Sequence, residues 1–368
     1  HARRPGHPAG SGHPAWSNPL DPGDLHYALQ RLEGKARKDL TDYYNDTRAA
    51  LMEVLLTIMR TGRENDTDAG ARGVTARESD ILSVAVRVLH DRHGGDPQPP
   101  VIADLRDLLR EGPDEVRTAA VWDDPENDEL YRAQVRGLLA DLHGFSNRMT
   151  KFGRLFGDQT TARIDLSRPV DFDISALAQS GDDVVAAVLA TTWTSAFAAK
   201  NAADVLAEEG LQPRRNHVII MDEMHRALRA SPLMVEKLDL LTRLNRQWGV
   251  GQIMITHTFK DLMCMETPAQ NTKARGFVER SEIKVLGALS RIEVDRYLRG
   301  ECGLPVSRRE EDMLEDWATP VNFGSDASHK GLGRFLIKLG GLPGIPINVE
   351  MCPLEKGGFN DTNLKWHA

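Results

Sequence analysis

The strongest constraint on the fold is a change of hydrophobic periodicity near Gln159. Before this residue, apolar side chains recur at helical spacing. After it, short apolar runs of strand length alternate with helical segments. Alternation of this kind is typical of a mostly parallel sheet with helices on its faces. The sequence therefore predicts an α/β core joined to an all-helical part.

A length of 368 residues suits two domains, or one large domain with an insertion. We predict an irregular lead-in at 1–24, an all-helical domain at 25–155 and an α/β core at 156–368. In the helical part, Thr75 and Glu78 have the spacing of a capping box. In the core, the segment 182–209 reads as a helix. The predicted strands, of which the last two form a hairpin, are 161–166, 170–177, 217–221, 251–258, 281–289, 333–340 and 345–351.

Charge and cysteine content restrict the class of protein. The net charge of −8 lacks the global basic signature that nucleic-acid-binding modules usually show. Three widely spaced cysteines argue against a disulfide framework or a zinc site, and they fit a reducing cytoplasm. The longest apolar run is far shorter than the roughly 20 residues that a membrane-spanning helix needs.

Two adjacent carboxylates, Asp222 and Glu223, follow the apolar run Val218–Met221. A short apolar strand that ends in Asp-Glu has the form of a Walker B segment, and ligands bind at the carboxyl ends of strands in a parallel sheet. Asp222 would hold Mg²⁺ and Glu223 would polarise the water that attacks a γ-phosphate. The simpler alternative is that both acids interact with the dipole of the helix that follows.

The next predicted strand also ends in polar residues, Thr256 and His257. These residues suit a sensor that contacts the γ-phosphate and the attacking water, although a histidine in an ordinary turn would look the same. Arg243 and Arg246 lie one helical turn apart between the two strands. Either arginine could act on the nucleotide of a neighbouring subunit, or both could belong to a solvated basic helix face.

A G-x-x-x-x-G-K-[ST] loop, which cradles phosphates in many nucleotide-hydrolysing enzymes, does not occur in the 368 residues. The chain thus carries residues for a metal and a water without this phosphate cradle. The sequence begins with His1 rather than Met, so we expect it to be a fragment of a longer protein. We further expect residues 1–368 alone to bind ATP weakly and to be inactive in hydrolysis.

Six segments, in order, resemble the ATPases of type IV secretion and conjugation systems. This family is the TraC/TraG-like branch of the HerA–FtsK group of RecA-fold motors, and its actinobacterial members are the most similar. The matching segments are NPLDPG (18–23), LFGDQTTARIDLSRPVDFDIS (155–175), HVIIMDEMHRAL (217–228), WGVGQIMITHTFKDL (248–262), GRFLIKLGGLPGIPINV (333–349) and NDTNLKW (360–366). His257 departs from the family pattern, in which Gln is frequent at this position.

The resemblance implies a RecA-like core with an all-helical insertion, and an ATP- and Mg²⁺-dependent motor in the intact protein. It also implies a homo-oligomer, usually a hexamer, at the cytoplasmic face of the cell membrane. There the motor would be peripheral to the membrane and would contact other secretion-channel proteins, with DNA or protein as cargo. In the family the Walker A loop precedes the NPL element, so we expect it before His1.

Three other functions remain open at this stage. A metalloenzyme is disfavoured because Glu223 and His225 are two residues apart, which places them on different helix faces, and no H-E-x-x-H motif occurs. A non-hydrolysing assembly or coupling subunit would keep the motor fold. The net negative charge of the chain disfavours a HerA/FtsK-like DNA translocase only weakly.

Overall fold

The structure is a computed structural model. It describes residues 17–61, 73–93, 96, 98–122, 124–161, 164, 167–173, 177, 180–225, 228, 235, 238–239, 242–243, 245, 249–263, 267–319, 330–350 and 352–353. The chain divides into two compact units. The first consists of His1–Ile219, Arg226–Met234 and Gly249–Gly251, and the second of Ile220–His225, Val235–Trp248 and Gln252–Ala368.

The described residues of the first unit are mainly helical. Its helices are α1 (Asp24–Arg31), α2 (Gly34–Thr61), α3 (Ala76–His93), α4 (Ile102–Glu111), α5 (Asp114–Ala120), α6 (Asp128–Ser146), α7 (Gly153–Phe156) and α8 (Asp182–Glu208). The predicted helices of this region are confirmed, and α8 begins and ends within one residue of the prediction. The capping box is confirmed as well, since Thr75 N donates to Glu78 Oε2 at 2.8 Å.

The core of the first unit forms where α2 packs against α3 and α8, and where α4 packs against α6. Arg60 of α2 forms ion pairs with two of these helices, α3 and α6. Its guanidinium lies 2.6 Å from Glu78 of α3 and 2.8 Å from Asp141 of α6. Because α8 belongs to this unit, the predicted domain boundary at residue 155 does not coincide with the division into compact units. The boundary stays a prediction.

The NPL element is irregular, as predicted, but it is packed in the interior of the first unit. Asn18 and Leu20 are both 2% exposed. The Asn18 side chain donates to Pro100 O at 2.9 Å and accepts from Leu20 N at 3.0 Å. A lead-in that satisfies its polar groups in this way contributes to the core instead of covering the surface.

Two strands follow α8, namely β1 (His217–Met221) and β2 (Val250–Met254). They are neighbours in a two-stranded sheet. His217 N donates to Gly249 O at 3.4 Å, and Ile255 N donates to Met221 O at 2.9 Å. The partners advance in the same direction along both strands, so the pair is parallel, as predicted.

The apolar sequences of both strands lead us to expect burial on both faces, but one face is exposed. Ile220 is 64% exposed and Ile253 is 48% exposed. Apolar residues on both sides of a strand favour cover on both faces. Among the described residues, the face to which Met221 belongs is covered, and the face that carries Ile220 is exposed.

The second unit also contains α9 (Phe259–Met263), α10 (Pro268–Arg280), β3 (Ile283–Leu286), a π-helix (Glu293–Glu301), α11 (Arg308–Trp317), β4 (Arg334–Leu339) and β5 (Ile345–Asn348). β4 and β5 form the predicted hairpin, with Phe335 opposite Ile347. The prediction that β3 joins a parallel sheet is wrong. β3 pairs antiparallel with β4, Ile283 opposite Leu339, in a three-stranded sheet of order β3-β4-β5.

The mostly parallel central sheet that we predict is therefore shown only in part. Among the described strand pairs, one is parallel and two are antiparallel. Hydrophobic alternation reports which side chains are covered but not the direction of the neighbouring strand. The fold of the described residues is mixed α/β with a small parallel sheet.

The predicted strands at 161–166 and 170–177 are not confirmed. Ile164 and 167–173 are described and form no strand. The remaining positions of these two segments lie mostly outside the described residues. In the part of the chain that the structure describes, no helix combines the length and apolarity needed to cross a membrane.

Glu310, near the start of α11, connects three elements of the second unit. Its carboxylate accepts hydrogen bonds from Ser307 N at 2.6 Å, Gly344 N at 2.5 Å and Lys338 Nζ at 3.0 Å. Lys338, on β4, is 1% exposed. Burial raises the pKa of the Glu310 carboxyl, but these hydrogen bonds outweigh burial and lower the pKa to about 2.

We predict that Glu310 makes the second unit sensitive to acid. Its folded pKa lies below the unfolded value of about 4.3, so its contribution is present above that pH and is lost as pH falls towards 2. The full loss, complete only below pH 2, amounts to about 3 kcal/mol of the free energy of unfolding, and about 2 kcal/mol of it falls between pH 6 and pH 2.5. Urea denaturation between pH 6 and pH 2.5 measures it, and Glu310→Gln should flatten the dependence. Asp312→Asn, an exposed change on the same helix, is the control. Equal pH dependence in the two variants would contradict the prediction.

Candidate functional site

The carboxyl end of β1 places Asp222 and Glu223 in a turn beside β2. Met221, the last residue of β1, is 2% exposed and anchors the strand end. The backbone on either side of the two acids is bound to Ile255, since Ile255 N donates to Met221 O at 2.9 Å and Met224 N donates to Ile255 O at 3.3 Å. The acids therefore project from a short loop that is fixed at both ends.

Glu223 has a left-handed backbone conformation, with φ of +52°. This region is sterically unfavourable for residues other than glycine, and such a residue costs on the order of 1–3 kcal/mol. The Asp222 side chain supports the turn, because its Oδ1 accepts a hydrogen bond from Glu223 N at 2.9 Å. Strained residues of this kind cluster at functional sites.

The Glu223 carboxylate lies between two imidazole rings. Its Oε1 is 2.5 Å from His257 Nε2, and its Oε2 is 3.5 Å from His225 Nε2. The two ring centroids are 5.7 Å apart. All three residues belong to the second unit. The predicted neighbours Glu223 and His257 are thus brought together at the ends of two parallel strands.

The two histidines differ sharply in exposure. The side chain of His257 is 70% exposed, whereas that of His225 is 10% exposed. His225 Nδ1 is buried and has no hydrogen-bond partner in the part of the chain that the structure describes. Helical spacing argued against contact between Glu223 and His225, but Glu223 lies in a turn and only Met224 begins the helix. The Asp-Glu-x-His order in the sequence was the available signal.

Thr256 and His257 follow the end of β2 by two and three residues. Thr256 is half-buried, and its hydroxyl donates to Thr258 O at 3.3 Å. Thr258 in turn donates to Asp261 at 2.8 Å at the start of α9. The predicted sensor residues therefore stand at the carboxyl end of the strand next to β1. A role for them in nucleotide sensing stays a prediction.

Arg243 is bound to a carboxylate of its own helical turn rather than to the acids after β1. Its Nε lies 2.9 Å from Asp239 Oδ2, and its side chain is 60% exposed. Arg280 of α10 contacts the other oxygen of Asp239 at 2.5 Å. Arg246, the other candidate for an arginine finger, lies outside the described residues.

The donor set can be tested against Mg²⁺, the metal expected from the sequence. Within the described segments, no group of three or more histidine, cysteine or acidic side chains is arranged to hold a metal ion. Mg²⁺ is commonly bound by one or two carboxylates together with water and substrate phosphates. The exposed carboxylate of Asp222 fits this minimal requirement, whereas Glu223 is engaged by the two imidazoles.

The comparisons with known proteins address the fold. No protein-family model and no curated protein sequence matches this chain. Among solved structures, the chain is similar to the structure of VirB4 of Thermoanaerobacter pseudethanolicus, with a TM-score of 0.56 and 17% sequence identity. The similarity covers 93% of this chain and 78% of that chain. At this level of identity the likeness establishes a common fold.

We predict that Glu223→Gly stabilises the chain, although it removes a charged side chain. Glycine adopts positive φ without steric cost, so the free energy of unfolding should rise by about 1 kcal/mol. Asp222→Gly is the matched control, because Asp222 has no positive φ, so glycine there removes the hydrogen bond from Glu223 N to Oδ1 and adds freedom to the unfolded chain without relieving strain. Urea denaturation of both variants measures the difference. A loss of stability in both would mean that Glu223 is not left-handed in solution.

Proposed function

We propose that this chain is part of an ATP-hydrolysing motor of the type IV secretion and conjugation group, with Asp222 and Glu223 as its metal- and water-directing residues. The main observation behind the proposal is the contact between Glu223 Oε1 and His257 Nε2, 2.5 Å apart, at the carboxyl ends of two parallel strands. The motif resemblance over six ordered segments supports it, as does the fold shared with VirB4 of Thermoanaerobacter pseudethanolicus.

The two acids have different environments and suit different roles. Asp222 is exposed, and its carboxylate can hold Mg²⁺ through water. When bound, Mg²⁺ would neutralise phosphate charge. Glu223 is partly shielded, with a side chain that is 30% exposed. A carboxylate held beside the strand ends can orient a water molecule and accept its proton.

Thr256 and His257 would report the state of the nucleotide to β2. His257 is exposed and touches Glu223, so an ordered water, which can donate a hydrogen bond, could replace it on Oε1. Arg243 has a largely exposed side chain and would serve a neighbouring subunit, which requires a homo-oligomer such as a hexamer. Secretion-channel proteins at the inner face of the cell membrane, and DNA or protein cargo, are the partners that we propose.

A second function is favoured by the same geometry. Each oxygen of the Glu223 carboxylate lies next to an imidazole, so neither oxygen is surrounded by solvent only. A subunit that binds partners without hydrolysing ATP could keep Glu223 in this arrangement permanently. The two functions differ in one measurable property, the dependence of ATP hydrolysis on Glu223.

The test is steady-state ATP hydrolysis in a natural chain that carries a Walker A loop in addition to residues 1–368. Glu223→Gln should lower kcat by at least about 100-fold, because the carboxamide keeps the size of the side chain but cannot accept a proton. Nucleotide binding should be largely retained, since Asp222 is unchanged. Fluorescence titration with an ATP analogue measures that binding.

Glu209→Gln provides the matched control. It makes the same chemical change at an exposed position after α8, away from the strand ends. Its kcat should equal that of the unmodified chain. Hydrolysis that Glu223→Gln leaves unchanged would remove the proposed role of Glu223 and would favour the non-hydrolysing subunit.

A further inference from the structure

We propose that His225 is a positioning residue that fixes the direction of the Glu223 carboxylate. The inference rests on the proposed function, because its purpose is to prepare Glu223 for water activation. Its structural basis is the buried imidazole of His225, which faces Glu223 Oε2 at 3.5 Å from the inner side of the turn.

Hydrogen bonds fix the backbone on both sides of Glu223, so the main remaining freedom is in the conformation of its side chain. Ile255 binds Met221 O with its N–H and Met224 N with its carbonyl, at 2.9 and 3.3 Å. These two hydrogen bonds enclose the left-handed residue from both sides. The remaining freedom of Glu223 is rotation of its carboxylate about the side-chain bonds, and the neighbouring rings determine that rotation.

The two rings cannot have the same role, because their exposures differ. A ligand or water that approaches from solvent can displace the largely exposed His257 from Oε1. His225 is enclosed by protein and stays on Oε2 when the other contact opens. The buried ring thus keeps one oxygen fixed, and the other oxygen is directed outwards, where a water would be activated.

Burial of His225 needs a compensating contact. Its Nδ1 has no hydrogen-bond partner, and a buried polar atom without a partner is unfavourable. A leucine of similar size would avoid this cost. The other ring nitrogen, Nε2, lies 3.5 Å from Glu223 Oε2, and in the tautomer that carries its proton there it offers the carboxylate a polar neighbour, which an apolar side chain cannot provide.

The first experiment compares two substitutions in the hydrolysis-competent chain. His225→Leu keeps the volume and loses the donor, so kcat should fall about tenfold while KM for ATP stays constant. His225→Gln places an amide donor near the former Nε2 and should restore most of kcat. His217→Leu is the control, because His217 also has a buried nitrogen without a partner but lies at the start of β1. It should leave both constants unchanged.

The second experiment is a double-mutant cycle with Glu223→Gln. If His225 acts through Glu223, His225→Leu should lower kcat much less in the Glu223→Gln background. An equal decrease in both backgrounds would overturn the proposal. So would an unchanged kcat in His225→Leu, or a kcat that falls only together with the melting temperature and is not restored by glutamine.

Failure of the proposed function would be distinguishable. If no form of the protein hydrolyses ATP in a Glu223-dependent manner, the motor function fails, and the contact is then judged from urea denaturation of residues 1–368. Non-additive effects of His225→Leu and Glu223→Gln on the denaturation midpoint would show that His225 still positions Glu223. Additive effects would overturn the positioning role.

Discussion

The candidate site depends on the backbone of a single residue, Ile255. It accepts from Met224 N and donates to Met221 O, and so closes a loop that contains only Asp222 and Glu223. Each bond contributes on the order of 1 kcal/mol, which together is comparable to the cost of one left-handed residue. The parallel pairing of β1 and β2 thereby supports a conformation that the isolated turn would avoid.

This constraint explains why the acids differ although they are adjacent. The left-handed turn at Glu223 reverses the chain so that its carboxylate points back towards the two imidazoles, whereas Asp222 remains exposed. In a regular helix start, both acids would instead lie near the helix dipole and share one environment. The turn gives the two adjacent acids different surroundings, and this difference is what the proposed roles of metal ligand for Asp222 and proton acceptor for Glu223 require.

The sequence predicted the positions of helices and strands better than it predicted which strands pair and in which direction. Helical spacing identified α3 and α8, because it records which face of a helix is covered, and the apolar run identified β1 although Ile220 on one of its faces is exposed. β3 was recognised as a strand but was expected in a parallel sheet, whereas it pairs antiparallel with β4, since alternation carries no direction. A positive φ can be expected from the sequence where glycine occurs, but not where the residue is a glutamate such as Glu223.

The same limit explains why His225 was missed while His257 was predicted. His257 follows a strand end, and strand ends meet at one edge of a parallel sheet. Contact between Glu223 and His225 requires one residue of left-handed backbone between the strand and the helix. Rules based on helix or strand spacing do not predict such a residue. The helix-face argument failed at the point where the chain departs from regular structure. That departure also holds the carboxylate away from free solvent, so hydrolysis would require a ligand that competes with the exposed imidazole for one oxygen.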